Sequence, residues 1–537
     1  MAVVLSIGLG AFPLLDPDEG RNAEVGREMA LTNDYVMPRL DALPYLDKPI
    51  VYFAVEAAAM EVLGPTETAA RLPAFLFTLA TAAFVWWFAR RIWTPDQALM
   101  AAIMTLATPL TVAFSRTVIF DSALAFFITV AMGCFYLSVE TPSVETPSVE
   151  AGFSRPVPAK AGTSTYTVIA WAAIGFGVIT KGPVAIALPL LVAIPYAVWR
   201  RRFGALWSWI ALLVFVAVVA PWVWAISRAV PDFLHYVVVT ETAQRLATKA
   251  LKRTGPPWYF VPFLLFGALP WTVVVVASRF EKRDKTNVYL FLWTIVPFIF
   301  FSISQSKRPQ YILPLMPAVA LLAARVWCDS ARGRKWAGGV MIAFGAVLVA
   351  APWLVKLRLE YGVAARGSAI VLGAIAVVGG AMAMLPRRYL ALAGITLPII
   401  AMPMAVNPVA NAIATRRSTA AFAAQLRPHV GAETEIVGVE AYTGSMSFYL
   451  GRPVVVVTPD GEEFTSNYII RHYSRFAGSP TLKPPVWLDA ALAEPGADRL
   501  FIVRADDRAH RMRLEQRGME RVAAGARYVA YAPHRMR

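Results

Sequence analysis

Cysteine and histidine are scarce in this chain. Of 537 residues only two are cysteine, Cys134 and Cys328, and five are histidine. Both cysteines lie in or beside apolar runs, so the sequence offers no disulfide framework. With no Cys/His cluster it also offers no ligand set for zinc of the usual structural type. The stretch after about residue 407 also lacks a Gly-rich phosphate loop and a Ser/His/Asp arrangement. The first apolar run, Ala2 to Leu15, has neither a charged leading region nor a small-residue cleavage site, so no cleavable signal is expected. Charge is thin: 16% of residues are charged against 57% hydrophobic, and the mean hydropathy is +0.54. These values exclude a soluble enzyme and indicate a polytopic membrane protein. The charge present is lopsided, 51 basic against 35 acidic residues for a formal net charge of +16. Basic cytoplasmic loops of a membrane protein account for that excess better than a nucleic-acid partner, and none is expected.

A bilayer span takes roughly 20 apolar residues. Ala2 to Leu15 is short for one: either its helix begins at the terminus or residues precede Met1. Counted with it, thirteen spans are expected, the others at about 69–89, 97–114, 118–138, 166–180, 183–199, 206–226, 258–278, 287–304, 309–327, 336–355, 368–385 and 389–406. Basic clusters at 90–91, 200–202, 282–285, 332–335 and 387–388 all follow even-numbered spans. The positive-inside rule puts them in the cytoplasm, so the stretch Asp16 to Pro49 and everything after 406 face outward. The gap at about 139–165 carries TPSVE twice in tandem and is Pro/Ser-rich, which reads as a flexible insertion without a catalytic role. Residues 1–406 form the expected transmembrane catalytic domain and 407–537 a small soluble α/β domain. Its strands are expected at 434–442, 453–458, 500–504 and 527–531, and its helices at 445–450 and 506–517.

The chain is organised around Asp16 to Pro49. Asp18, Glu19, Arg21, Glu24, Arg27, Glu28, Asp47 and Lys48 crowd there against a hydrophobic phase where charge is costly, which marks a functional site. The plainer reading is a charge cap on a helix. Val25 and Met29 stand at i and i+4, predicting an amphipathic interfacial helix over about 22–33 with one face in lipid. Asp18 and Glu19 sit at its N-terminus, where the helix dipole favours them. Further interfacial helices are expected at 50–63 and 232–250. Asp121, in a mostly apolar run, is either functional or ion-paired with Arg116 or another loop cation. Lys48, Lys181, Arg245, Lys307 and Arg308 are outward bases, for binding an anion or for snorkelling to the interface. The carboxylates of Asp18, Glu19 and Asp47 are candidates for a divalent cation; the loop's own bases compete for them, so metal dependence is open.

DEGRNAEVGREM followed by YLDKP resembles the first periplasmic loop of the lipid-linked sugar transferases, the 4-amino-4-deoxy-L-arabinose transferases of lipid A and, more distantly, the protein O-mannosyltransferases. Their pattern is Asp-Glu-x-Arg-Tyr-Ala-Glu and then Tyr-Phe-Glu-Lys-Pro. This chain departs at Asn22 and Asp47, both on the sugar-facing side. ITKGPVAI around Lys181, SQSKRPQYILP around Lys307 and Tyr311, and Glu241-x-x-x-Arg245 followed by Pro257-Trp258-Tyr259 resemble further loops of the family. The resemblance covers the loops of 16–311 and is weak in the tail. It implies the C-type glycosyltransferase membrane fold and an inverting enzyme. The donor would be a sugar on undecaprenyl phosphate, and the acceptor lipid A or another periplasmic glycan, lipid or protein. It further implies a multi-pass bacterial inner-membrane location with the site and tail in the periplasm. The carboxylate would be Asp18 first, Asp47 second and Asp121 third, with donor contacts from Arg21, Tyr45, Lys48, Lys181, Arg245, Lys307 and Tyr311. The rival from another class is a transporter or flippase for the same lipid, and a scaffold is third. Transporters show paired repeats; here none is seen, and the charges gather on one face.

Overall fold

The computed structural model describes residues 2–141, 165–237, 255–281, 283–354, 359–494 and 497–533. Most of the expected insertion and most of the helix expected at 232–250, Arg245 included, lie outside them.

Eight helices among the described residues are long and apolar enough to cross a membrane, and nine if Pro257–Gly267 and Trp271–Ala277, bent by 97°, are one span. Thr165–Lys181 and Val184–Trp199 are shorter apolar helices. The expectation of thirteen full spans is corrected at two places. Residues 2–15 form only the five-residue helix Ala2–Ser6 and then turn, with Gly8 at a φ of +69°. The segment 97–114 is split into Pro95–Leu106 and Pro109–Phe114, because Pro109 cannot continue the preceding helix.

The helix Asp121–Glu140 is buried almost throughout and acts as the axis of the bundle. At about 1.5 Å per residue it spans about 30 Å, the thickness of a bilayer core. At its C-terminal end Glu140 pairs with Arg200 at 2.7 Å and Lys285 at 2.6 Å. The pairs Asp284–Arg325 and Asp96–Arg388 are made among the other basic helix ends. At the opposite end lie Asp121, Lys181 and the opening stretch.

The tail carries a six-stranded sheet in the order 482–483, 455–457, 435–439, 499–504, 528–533, 519–524. The first four strands are parallel and the last two antiparallel, with Val437 facing Val455 on one side and Phe501 on the other. Apolar β-branched runs at Glu435–Val439 and Val455–Val457 form buried strands, as their composition implies. The short strand Leu482–Lys483 and the strand Met519–Ala524, interrupted by the exposed Glu520 and Arg521, have no such signal. The last apolar helix, Arg388–Arg417, runs past residue 406 before the tail begins.

Candidate functional site

The opening stretch folds as the helix Asp18–Thr32, a two-stranded hairpin of Arg39–Leu40 with Leu43–Pro44, and the helix Val51–Leu63. The interfacial helix expected at 22–33 is corrected. It starts at Asp18, and Glu19, Arg21, Asn22, Glu24, Val25, Arg27 and Met29 are all buried, so only its C-terminal end, at Leu31, presents an exposed apolar residue. Its charges are paired instead. Glu19 receives both arms of Arg71 at 3.0 and 2.9 Å, and Arg71, fully buried, also donates to the carbonyls of Leu9, Phe12 and Pro13. Glu24 pairs with Arg27 at 2.6 Å. Buried charges survive when each finds such a partner.

The tail closes over this helix. Asp16 receives hydrogen bonds from Thr443 and Ser445, Asp41 from Tyr442, Ser447 and the Val454 amide, and Arg21 donates to the carbonyl and hydroxyl of Thr465. The backbones approach so closely at Gly444 that a Cβ there would lie 2.3 Å from the Arg21 Cα. Burial pushes the Asp16 carboxyl up to about 6 against the hydrogen bonds from Ser445 and Thr443.

At the first turn of the helix Asp18 is held between two guanidiniums. Arg21 donates to one oxygen at 2.8 Å and Arg308, from a distant loop, to the other at 2.8 Å. Burial would raise this carboxyl, but Arg21 and Arg308 outweigh it and lower it to about 2. Asp121, buried at the start of its helix, accepts from Lys181, whose ammonium also sits 4.7 Å from the centre of the Tyr311 ring. Asp121 therefore pairs with Lys181 and not with Arg116, which donates to the carbonyls of Leu5, Ile7 and Gly8.

Asp18, Arg21, Asp47, Lys48, Asp121, Lys181, Tyr45 and Tyr311 line one polar pocket of about 70 Å³. An apolar cleft of about 230 Å³ adjoins it, lined by Leu124, Val184, Phe233 and Phe300 among others. Asp47, Lys48, Asp121, Lys181 and Tyr311 belong to both, so the two form one continuous site.

Two of the sequence-derived residues also hold the scaffold together. Asp47 accepts from the Tyr236 hydroxyl at 2.9 Å and from the Asn467 and Tyr468 amides at 2.8 and 2.9 Å, so it fastens the tail to the pocket wall. Lys307 donates to the carbonyls of Ser302 and Ser304, both at 2.7 Å, at the end of the helix Lys285–Ile303, and burial lowers its pKa. Its neighbour Arg308 is the base that reaches the pocket. Glu19 is turned to Arg71 and is not part of the pocket that Asp18 and Asp47 share, and the described residues contain no group of three His, Cys, Asp or Glu side chains able to hold a metal ion. Asn22, Gln310, Thr465 and Asn467 also line the pocket and were not singled out as contacts from the sequence. For Thr465 and Asn467 no local signal exists, because they arrive with the tail.

Residues 23–237 match the family described as dolichyl-phosphate-mannose-protein mannosyltransferase. The undecaprenyl phosphate-alpha-4-amino-4-deoxy-L-arabinose arabinosyl transferase of Erwinia tasmaniensis is 30% identical over 376 residues, 66% of this chain and 64% of that protein. The Yersinia enterocolitica protein of the same name is 31% identical over 64% of this chain and 62% of its own length. The chain thus spans somewhat under two thirds of these curated relatives. The crystal structure of ArnT from Cupriavidus metallidurans bound to undecaprenyl phosphate superposes with a TM-score of 0.83 at 26% identity, covering 99% of this chain and 96% of that one. With these similarities, the multi-pass helical architecture and the mixed-sheet tail, the chain is a relative of the lipid-linked sugar transferases.

Proposed function

We propose that this protein moves a sugar from undecaprenyl phosphate to lipid A or another envelope acceptor; the relatives' names give undecaprenyl phosphate-linked 4-amino-4-deoxy-L-arabinose, which makes that the leading candidate sugar. The observation that carries the reading is the continuity of an apolar cleft with a polar pocket across Lys48, Asp121, Lys181 and Tyr311. A lipid-linked sugar has the same two parts, a greasy chain and a charged head, joined at the phosphate.

In this reading the polyprenyl chain lies along Leu124, Val184 and Phe300, and Lys48, Lys181 and Arg308 meet the phosphate. Those cations stabilise the negative charge that grows as the bond from the anomeric carbon to the phosphate oxygen breaks. Asp18, ionised at every working pH, lies beside the sugar and offsets the positive charge that develops on its ring in an oxocarbenium-like transition state. The acceptor oxygen then bonds to the anomeric carbon from the opposite face, and undecaprenyl phosphate leaves. A carboxyl with its pKa near 2 is a poor proton acceptor, so the site suits an acceptor that is already anionic, such as a phosphate on lipid A. The site and tail would face the periplasm of a bacterial inner membrane, with the basic helix ends in the cytoplasm.

The test is to incubate the purified protein with radiolabelled polyprenyl-phosphate sugars and total envelope lipid. Label should appear in an envelope lipid with release of undecaprenyl phosphate. Binding of the donor with no transferred label to any envelope acceptor would remove the transferase reading and leave the flippase.

A further inference from the structure

Asn22 is 2% exposed and lies one residue after Arg21, at the start of the second turn of the helix that carries Asp18. Its side-chain nitrogen donates to the Val118 carbonyl at 3.0 Å. A carbonyl only accepts, so this bond fixes which way the amide points. Oδ1 is then left buried with no donor among the described residues, and Asn22 is part of the wall of the polar pocket. A buried acceptor without a donor is unfavourable, and a ligand group that supplies the donor is correspondingly selected.

The other polar groups of that wall are matched differently. Asp18 and Asp47 already accept two and three hydrogen bonds, and the cations suit a phosphate. At Asn22 the sugar therefore meets a buried acceptor that no donor among the described residues satisfies. We propose that Asn22 is a specificity-determining residue: its amide oxygen accepts a hydrogen bond from a hydroxyl or an ammonium of the sugar being transferred. This rests on the lipid-linked sugar reading above. In the family pattern a tyrosine stands at this place, and a phenol both donates and accepts. The amide oxygen here only accepts, so this chain discriminates against sugars whose group at that position cannot donate.

The test measures binding of undecaprenyl phosphate and of undecaprenyl-phosphate arabinose to the full chain in nanodiscs. Analogues of the latter follow in which each hydroxyl in turn is deleted or replaced by an amine. Wild-type protein should lose about tenfold in affinity for one deletion and keep its affinity when an amine replaces that hydroxyl. Asn22→Leu should bind the parent and that deletion analogue alike, with its affinity for undecaprenyl phosphate unchanged. If wild type and Asn22→Leu rank the series identically, Asn22 does not read the sugar. Should the variant fail to fold, the wild-type series decides alone, since no deletion costing more than twofold overturns the inference. If wild type binds undecaprenyl phosphate but ignores every sugar change, the inference falls and the lipid-linked reading stands. If it binds no polyprenyl phosphate at all, the lipid-linked reading itself falls.

Discussion

Replacing Asp18 by asparagine keeps the shape of the side chain and removes its charge. A carboxylate about 4 Å from a full positive charge contributes about 4 kcal/mol at an effective dielectric of about 20. Arg21 and Arg308 neutralise part of it, the side chain is 34% exposed, and charge at the anomeric carbon is incomplete in the transition state. About 3 kcal/mol remains, which is roughly a hundredfold in rate. The sugar is uncharged at that carbon before reaction, so the effect falls on kcat and not on donor affinity. Single-turnover transfer from a labelled donor, with donor affinity measured separately, reads both. Because the carboxyl is lowered to about 2, transfer by the wild type should show no acid limb from Asp18 between about pH 4 and 7. Two results refute the reasoning: wild-type turnover in Asp18→Asn, or a wild-type acid limb in that range that disappears in the variant. A collapse of donor affinity together with rate would assign Asp18 to holding the two arginines instead.

Lys181→Ala leaves the buried Asp121 carboxylate without its cation and should cost about 3–5 kcal/mol of stability, seen as a lowered unfolding midpoint in detergent, with Lys181→Ala/Asp121→Asn recovering part of it. Asp47→Ala removes an acceptor of three hydrogen bonds and should raise hydrogen exchange at residues 467–471 before it alters the rest of the tail. The Asp16 carboxyl, at about 6 against an ordinary 3.8, binds its proton more tightly in the folded protein; its contribution is full below about pH 3.8 and is lost as pH rises through about 6. Asp16→Asn should therefore flatten the fall of the unfolding midpoint between those values. An alkaline phosphatase fusion after residue 430 should be active and one at residue 150 inactive; the reverse would overturn the proposed sidedness.

The amino-acid sequence by itself determined the membrane class, the positions of the apolar helices and the buried strands of the tail, because these follow from local composition and period. It also singled out Asp18, Lys48, Asp121, Lys181 and Tyr311, since charge and aromatic residues beside apolar runs stand out without any knowledge of packing. What each of those residues does was decided in three dimensions. The opening helix has the pattern of an interfacial helix, yet most of it is buried, in part because the tail, over 400 positions away, meets Asp16, Arg21 and Asp41. Asp47 keeps its place in the pocket wall while it accepts from the tail's amides, and Lys307 is spent on a helix end. Arg308 reaches Asp18 across 290 positions and Lys181 reaches Asp121 across 60, pairings that no local pattern encodes. The free oxygen of Asn22 is the same kind of fact: only the Val118 carbonyl beside it settles that its amide nitrogen is taken and its oxygen is left facing need of a donor. Composition and period act through neighbours along the chain, whereas the partner of a buried polar group is chosen by whatever the tertiary fold brings within about 3 Å.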